Sequence, residues 1–325
     1  MLSIILNVVL LIIGIVLVLW GADKFTDGAS GLARRWHMSE MVIGLTVVAM
    51  GTSMPEFVVS FFSALDGSAD MSVGNVVGSN IFNTLVIVGS SALFISMSLT
   101  KKLLVRDILF VIYSSLILVA LTQDGNLNRW EALILLLCFS MYMIYSYNVA
   151  KSEVDSDENT SDRYGFGKIV FLILIGIVCL VGGGQLLVSN ASDLAISWGM
   201  SERVVGLTIL AAGTSLPELA TSIVAARKGS RGLALGNAIG SNLFNIFWVL
   251  GTSAIICPMK ISGIGTLDWV FLVGSSIVLF VFGGTGHKIT RTEGAIMLLL
   301  YILYMIVLVM GLELNLDFLP FSEWT

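Results

Sequence analysis

GLTVVAMGTSMPEFVVSFFSALDGSADMSVGNVVGSNIFNTLVIVG (residues 44–89) and GLTILAAGTSLPELATSIVAARKGSRGLALGNAIGSNLFNIFWVLG (residues 206–251) align without a gap at an offset of 162, and 21 of the 46 pairs are identical. Agreement of this extent marks a duplicated unit, and a duplication governs every later reading of a chain. The identities concentrate on Gly, Thr, Ser, Asn, Pro and Glu. These are residues chosen for backbone geometry and oxygen chemistry, not for bulk.

The rest of the chain sets the solvent. Of 325 residues, 56% are hydrophobic and only 12% charged, against about 25% charged in soluble domains. There is too little polar surface to coat one soluble core, so the chain reads as an all-α membrane protein. A span needs about 20 mostly apolar residues. Ten segments qualify, near 2–22, 40–64, 71–96, 103–121, 130–149, 168–190, 202–226, 233–257, 267–283 and 294–312. The first lacks a basic flank and reads as a retained span rather than a secretory signal. One long polar connection separates a first half (1–149) from a second (168–325): the acidic linker 150–167.

Loop charge gives orientation. Of the 17 Lys and Arg residues, 14 fall in one alternating set of loops, and only Arg129, Arg203 and Lys260 in the other. The basic set is read as cytoplasmic, with the central linker among it and both termini outside. Five spans per half is an odd number, so the second copy enters the membrane from the opposite side. The expected architecture is ten transmembrane helices in two inverted-topology five-helix repeats, the layout of alternating-access transporters with substrate near the midplane.

GTSxPE recurs mid-span at Gly51–Glu56 and Gly213–Glu218. Proline removes a backbone donor and disfavours helix at the residue before it. Each span is expected to break there and free carbonyls such as those of Ala49, Thr52, Ala211 and Thr214. GNxxGSNxFN follows at Gly74–Asn83 and Gly236–Asn245. Ser79 with Asn83, and Ser241 with Asn245, are i,i+4 pairs that share a helix face, while Asn80 and Asn242 point elsewhere, toward broken backbone. Oxygens converging on a carboxylate suit a cation, and calcium takes six to eight of them. Small and hydroxyl residues also serve as helix-packing glue, and the glycines alone fit that role. Glu56 and Glu218 do not, because an ionisable residue in a span costs about 2.5–3.5 kcal/mol on the lenient scale, and the one Lys or Arg within these two spans, Arg203, stands at the very start of 202–226, far from the mid-span glutamate.

Other polar residues read as structural. Cys138, Cys179 and Cys257 sit in apolar segments without metal-site spacing, as small buried hydrophobes do. His37, His287, Asp107, Glu131 and Glu313 are placed at span ends. Asp155, Asp157 and Asn159 begin like an EF-hand loop, but Thr160 and Phe166 stand where its Gly and Glu belong, so the segment reads as a solvated linker.

The paired GTSxPE and GNxxGSNxFN strings resemble the sodium/calcium exchangers of the cation/calcium antiporter superfamily, especially its short prokaryotic members. The resemblance implies repeat helices two, three, seven and eight packed around the ions, with long first and sixth helices, roughly 2–35 and 168–197, that slide against them. It implies that Glu56 and Glu218 coordinate calcium with the carbonyls of Thr52 and Thr214. Sodium would use Ala49, Ser53, Ser79, Ala211, Thr214, Ser215 and Ser241 beside the glutamates, with Asn83 and Asn245 at the central positions. Many relatives carry Asp at one central position, and potassium-dependent ones at both; this chain has Asn at both, which argues against potassium dependence. It also leaves two carboxylates, enough to balance one Ca²⁺ or two Na⁺, and points to a lower sodium stoichiometry or affinity. Proton-coupled relatives place Glu where this chain has Gly78 and Gly240.

The expectation is a calcium-for-sodium antiporter, not an enzyme, with no cofactor, no nucleic-acid partner and a monomer as functional unit in a prokaryotic inner membrane. The alternatives are an H⁺-coupled or other divalent-cation antiporter, a passive cation channel and, more distantly, an intramembrane hydrolase. The hydrolase lacks any HExxH or GxSxG string.

Overall fold

The computed structural model describes residues 2–99, 101–152, 164–199 and 211–310. The linker residues Asp155, Asp157 and Asn159, together with Arg203 and Glu313, lie outside them. The described chain is helical: α1 (Leu2–Arg35), α2 (Glu40–Thr52), α3 (Met54–Leu65), α4 (Ala69–Phe94), α5 (Leu104–Leu121), α6 (Arg129–Asn148), α7 (Phe166–Ser197), α8 (Ala211–Thr214), α9 (Leu216–Arg227), α10 (Arg231–Ile256), α11 (Thr266–Gly284) and α12 (Arg291–Met310). Among the described residues, eight helices are long and apolar enough to cross a membrane, and the α2–α3 pair, bent by 48°, brings the number to nine if counted as one broken span. The tenth expected span, 202–226, starts outside the described residues; its described part is α8 and α9.

Contacts divide the chain into two compact units, residues 1–55 with 146–238 and residues 56–145 with 239–325. Each draws on both copies of the duplication.

In the first unit α1 lies antiparallel along α7, joined by glycines. A Cβ on Gly14 would fall 2.8 Å from the Gly183 carbonyl oxygen, and one on Gly21 would fall 2.9 Å from that of Gly176. Gly14 and Gly176 are equivalent under the offset of 162, as are Gly21 and Gly183, so the two contacts are images of one another. Bare backbone at a crossing lets membrane helices approach closely, where van der Waals packing replaces the hydrophobic drive. At 34 residues α1 is about 50 Å long, well beyond the ~30 Å hydrocarbon core. Its outer face (Ile5, Leu6, Ile12, Val16, Leu19) and that of α7 (Phe171, Leu174, Val178) are exposed apolar surface, as a lipid-facing helix requires. The polar end of α1 is tied down: the Lys228 ammonium lies 2.6 Å from Asp23 and 2.8 Å from Asp27.

In the second unit two short antiparallel ladders brace the helix ends. β1 (Met97–Ser98) pairs with β4 (Lys288–Ile289), and β2 (Asn126–Leu127) with β3 (Met259–Lys260). Adding 162 turns β1 into β3 and β2 into β4, so the Met97–Ile289 pair maps onto the Leu127–Met259 pair. Left-handed backbone follows the same rule at all but one position: His37 with Gly199, Gly67 with Gly229, and Gly125 with His287 all have positive φ, and Gly286 alone has an image, Asp124, that does not. The duplication therefore runs through turns where sequence identity has faded, with His standing where its image is Gly.

Asp107 lies in the first turn of α5, at the span end where it is expected, but it is buried there, 1% exposed in a π-helical segment, Leu104–Ile108. Arg106 makes its burial tolerable, donating through Nε at 3.0 Å and Nη2 at 2.7 Å to the carboxylate.

Candidate functional site

The helix break sits where the proline arithmetic puts it. Ser53 leaves helical geometry at φ −82°, ψ 11°, and Ser215 matches it at φ −87°, ψ 9°. Pro55 and Pro217 cannot donate to the carbonyls four residues back, those of Gly51 and Gly213. Each broken span thus presents the negative end of one helix beside the first turn of the next, and that first turn carries Glu56 in α3 and Glu218 in α9. Both glutamates are 0% exposed. One expectation is corrected here. The Ala49 carbonyl is not freed, because it accepts the Ser53 N–H at 3.0 Å and has the Thr52 hydroxyl at 3.4 Å.

In the first unit the structure joins the two copies at this break. Ser53 Oγ donates to Glu218 Oε1 at 2.8 Å. Thr52 Oγ1 reaches Asn237 Oδ1 at 3.0 Å, and Asn237 Nδ2 in turn donates to the Glu218 carbonyl at 3.2 Å and to Ser222 Oγ at 2.9 Å. Glu218 Oε2 is buried with no hydrogen-bond partner among the described residues. Ser215 is fully buried, Thr214 half-buried, and Ala211 begins α8.

The second unit holds Glu56, Ser79, Asn83, Ser241 and Asn245, each 2% exposed or less. Asn75 Nδ2 donates to the Glu56 carbonyl at 3.3 Å and to Ser60 Oγ at 2.9 Å, the image of the Asn237 arrangement. Both amide atoms of Asn83 and Asn245, and the hydroxyl of Ser241, lack a hydrogen-bond partner among the described residues. Buried polar atoms left unpaired cost about 1–3 kcal/mol each, and native proteins keep them where an ion, water or chemistry needs them. Asn83 opens a π-helical segment, Asn83–Val88, and Asn245 lies in its counterpart, Phe244–Leu250. Such π turns gather at functional sites.

Asn242 corrects a second expectation. It donates to a side chain, Thr84 Oγ1 at 2.8 Å, not to broken backbone. Its image Asn80 has neither amide atom bonded among the described residues, because the position equivalent to Thr84 is Ile246, which has no hydroxyl. The sequence reading also passed over Asn75, Asn237, Ser60 and Ser222. All four are identical between the copies, and that identity was the available signal.

The sodium/calcium exchanger protein family model matches this chain twice, over residues 6–148 and 168–310. The chain belongs to the sodium/calcium exchanger family. This exchanger is 37% identical over 308 residues to the putative antiporter CaxA of Alkalimonas amylolytica, covering 91% of this chain and 96% of that one. It is also 37% identical over 261 residues to the inner membrane protein YrbG of Escherichia coli, covering 78% and 80%. Among solved structures it superposes on the sodium-calcium exchanger NCX_Mj with a TM-score of 0.81 at 31% identity, covering 94% of this exchanger and 99% of that chain. The exchanger is thus an integral membrane protein of a cation/calcium antiporter family.

Proposed function

We propose that this exchanger moves Ca²⁺ against Na⁺ by alternating access, without K⁺, through one site served by Glu56 and Glu218. The supporting backbone and side-chain oxygens come from Thr52, Ser53, Ser79 and Asn83 in the first copy and Ala211, Thr214, Ser215, Ser241 and Asn245 in the second. The observation that carries this reading is the Glu218 carboxylate. It is fully buried, one oxygen is held by Ser53, and the other has no partner among the described residues. An ionised carboxylate in that setting is too costly to keep without a cation. Two carboxylates neutralise either one Ca²⁺ or two Na⁺, so the ions compete, and competition at a site open to one side at a time is exchange.

The architecture that goes with this reading is two inverted five-helix halves, 1–149 and 168–325, joined by the cytoplasmic linker 150–167. Both termini lie outside, in a prokaryotic inner membrane, and one chain is the functional unit. Asn83 and Asn245, in place of the Asp expected of potassium-dependent relatives, support independence from K⁺. The test is radiolabelled calcium uptake into proteoliposomes loaded with sodium and diluted into sodium-free buffer, with K⁺ present or replaced by choline. Uptake is expected to require internal sodium and to be the same in both buffers. Uptake driven only by a pH gradient would make H⁺ the counter-ion, and a K⁺ requirement would contradict the role given to the two asparagines.

A further inference from the structure

Asn75 and Asn237 stand outside the ion-binding set, yet each makes the same two bonds in its own copy. One carboxamide nitrogen reaches the backbone carbonyl of the glutamate and the hydroxyl of the serine four residues further along the same helix. The distances agree within 0.1 Å between copies: 3.3 and 2.9 Å for Asn75, 3.2 and 2.9 Å for Asn237. The two acceptors in each copy belong to residues four apart, so one NH₂ group holds groups from two successive turns of the glutamate-bearing helix just past the proline break. On its own helix Asn75 shares a face with Ser79 and Asn83, at i, i+4 and i+8. Asn237 bears the same spacing to Ser241 and Asn245. Each asparagine therefore joins a carboxylate-bearing helix to a helix that supplies neutral oxygens from the same face.

Resting on the exchange reading above, we propose that Asn75 and Asn237 are positioning residues. They fix the height of each carboxylate against the neutral oxygens and so set the affinity for Ca²⁺ relative to Na⁺. The carboxamide suits the task because its nitrogen offers two donors at a fixed angle, one for each acceptor, and no hydroxyl supplies two. Ca²⁺ tolerates flexible geometry but needs many oxygens at 2.3–2.6 Å. A glutamate that drifts along its helix axis loses contact with part of that shell, and the divalent ion suffers more than a monovalent one. Asn237 has a further link, because its Oδ1 accepts from Thr52; it ties the break of the first copy to the glutamate of the second.

The test is sodium-driven calcium uptake by Asn75→Ala and Asn237→Ala in proteoliposomes, scored as half-saturating calcium and maximal rate. Calcium-induced thermal stabilisation of the same purified proteins is measured beside it. Half-saturating calcium is expected to rise about tenfold or more, the factor that two lost neutral hydrogen bonds of ordinary strength correspond to. Maximal rate per folded protein should stay within about threefold of the parent. Ser60→Ala and Ser222→Ala keep the bond to the glutamate carbonyl and are expected to shift half-saturation less than the asparagine variants do. If an alanine variant does not fold, Asn75→Ser or Asn237→Ser, too short to span both acceptors, takes its place with the same expectation. Unchanged half-saturation with a lower maximal rate would make the asparagines merely structural and overturn the proposal. A parent protein that neither exchanges calcium for sodium nor is stabilised by calcium would overturn the exchange reading itself.

Discussion

Glu56→Gln and Glu218→Gln are each expected to abolish sodium-driven calcium uptake while leaving a folded protein. Gln matches Glu in size and keeps an oxygen, so packing around these fully buried positions is preserved and only the charge is lost. One remaining carboxylate cannot balance a divalent ion in a dry site, where the unpaired charge left over costs several kcal/mol. Stability moves the other way. Removing a buried charge whose Oε2 has no partner among the described residues relieves a desolvation cost, so Glu218→Gln should melt no lower than the parent in ion-free buffer. The parent should gain stability from calcium, about 2.7 kcal/mol at a hundredfold excess over the dissociation constant, and both variants should lose that gain. Uptake assays and thermal scans with and without calcium read out both effects. A variant that still exchanges would remove its glutamate from the site.

Three consecutive glycines on α7 provide the second large effect. A Cβ on Gly183 would lie 2.8 Å from the Leu17 Cβ and 2.9 Å from both the Gly14 carbonyl oxygen and the Val18 nitrogen, whereas Cβ atoms on Gly182 and Gly184 would meet nothing within 4 Å among the described residues. All three variants to Ala gain the same helix propensity, about 0.8–1.0 kcal/mol. Only Gly183→Ala drives a methyl into the backbone of α1, and overpacking of that kind costs about 1–3 kcal/mol. Gly182→Ala and Gly184→Ala should therefore melt at or above the parent and transport normally. Gly183→Ala should melt below both and exchange more slowly, because α1 can no longer seat against α7. Thermal scans of the three proteins and uptake per folded protein decide it. Equal behaviour of all three would mean the seam is looser than the Gly14–Gly183 approach indicates.

The features carried by identity between the copies were legible in the sequence. The breaks at Ser53 and Ser215 followed from Pro55 and Pro217, and the burial of Glu56 and Glu218 followed from their place in apolar spans. Hydropathy closed the first span near residue 22 because Asp23, Lys24 and Asp27 look like a loop; the structure continues α1 to Arg35 because Lys228 neutralises both aspartates. Hydropathy cannot see a partner 200 residues away, and only the family resemblance extended that helix. The burial of Asp107 was hidden for a similar reason, since its charge is met by the adjacent Arg106 inside a π-helical segment. Two-residue strands such as β1 and β4 leave no periodic signal. The clamp made by Asn75 and Asn237 was hidden by the limits of periodicity, which assigns a side chain to a helix face but does not say which carbonyl it meets.

The central claim is that two carboxylates from two copies serve one ion for which sodium competes. Equilibrium binding of radiolabelled calcium to the purified exchanger tests it most directly, with sodium titrated in and with Glu56→Gln and Glu218→Gln measured alongside. The account predicts one calcium per chain, displaced competitively by sodium, with binding lost in each single variant. Two calcium ions per chain with one lost per variant, or binding indifferent to sodium, would contradict it.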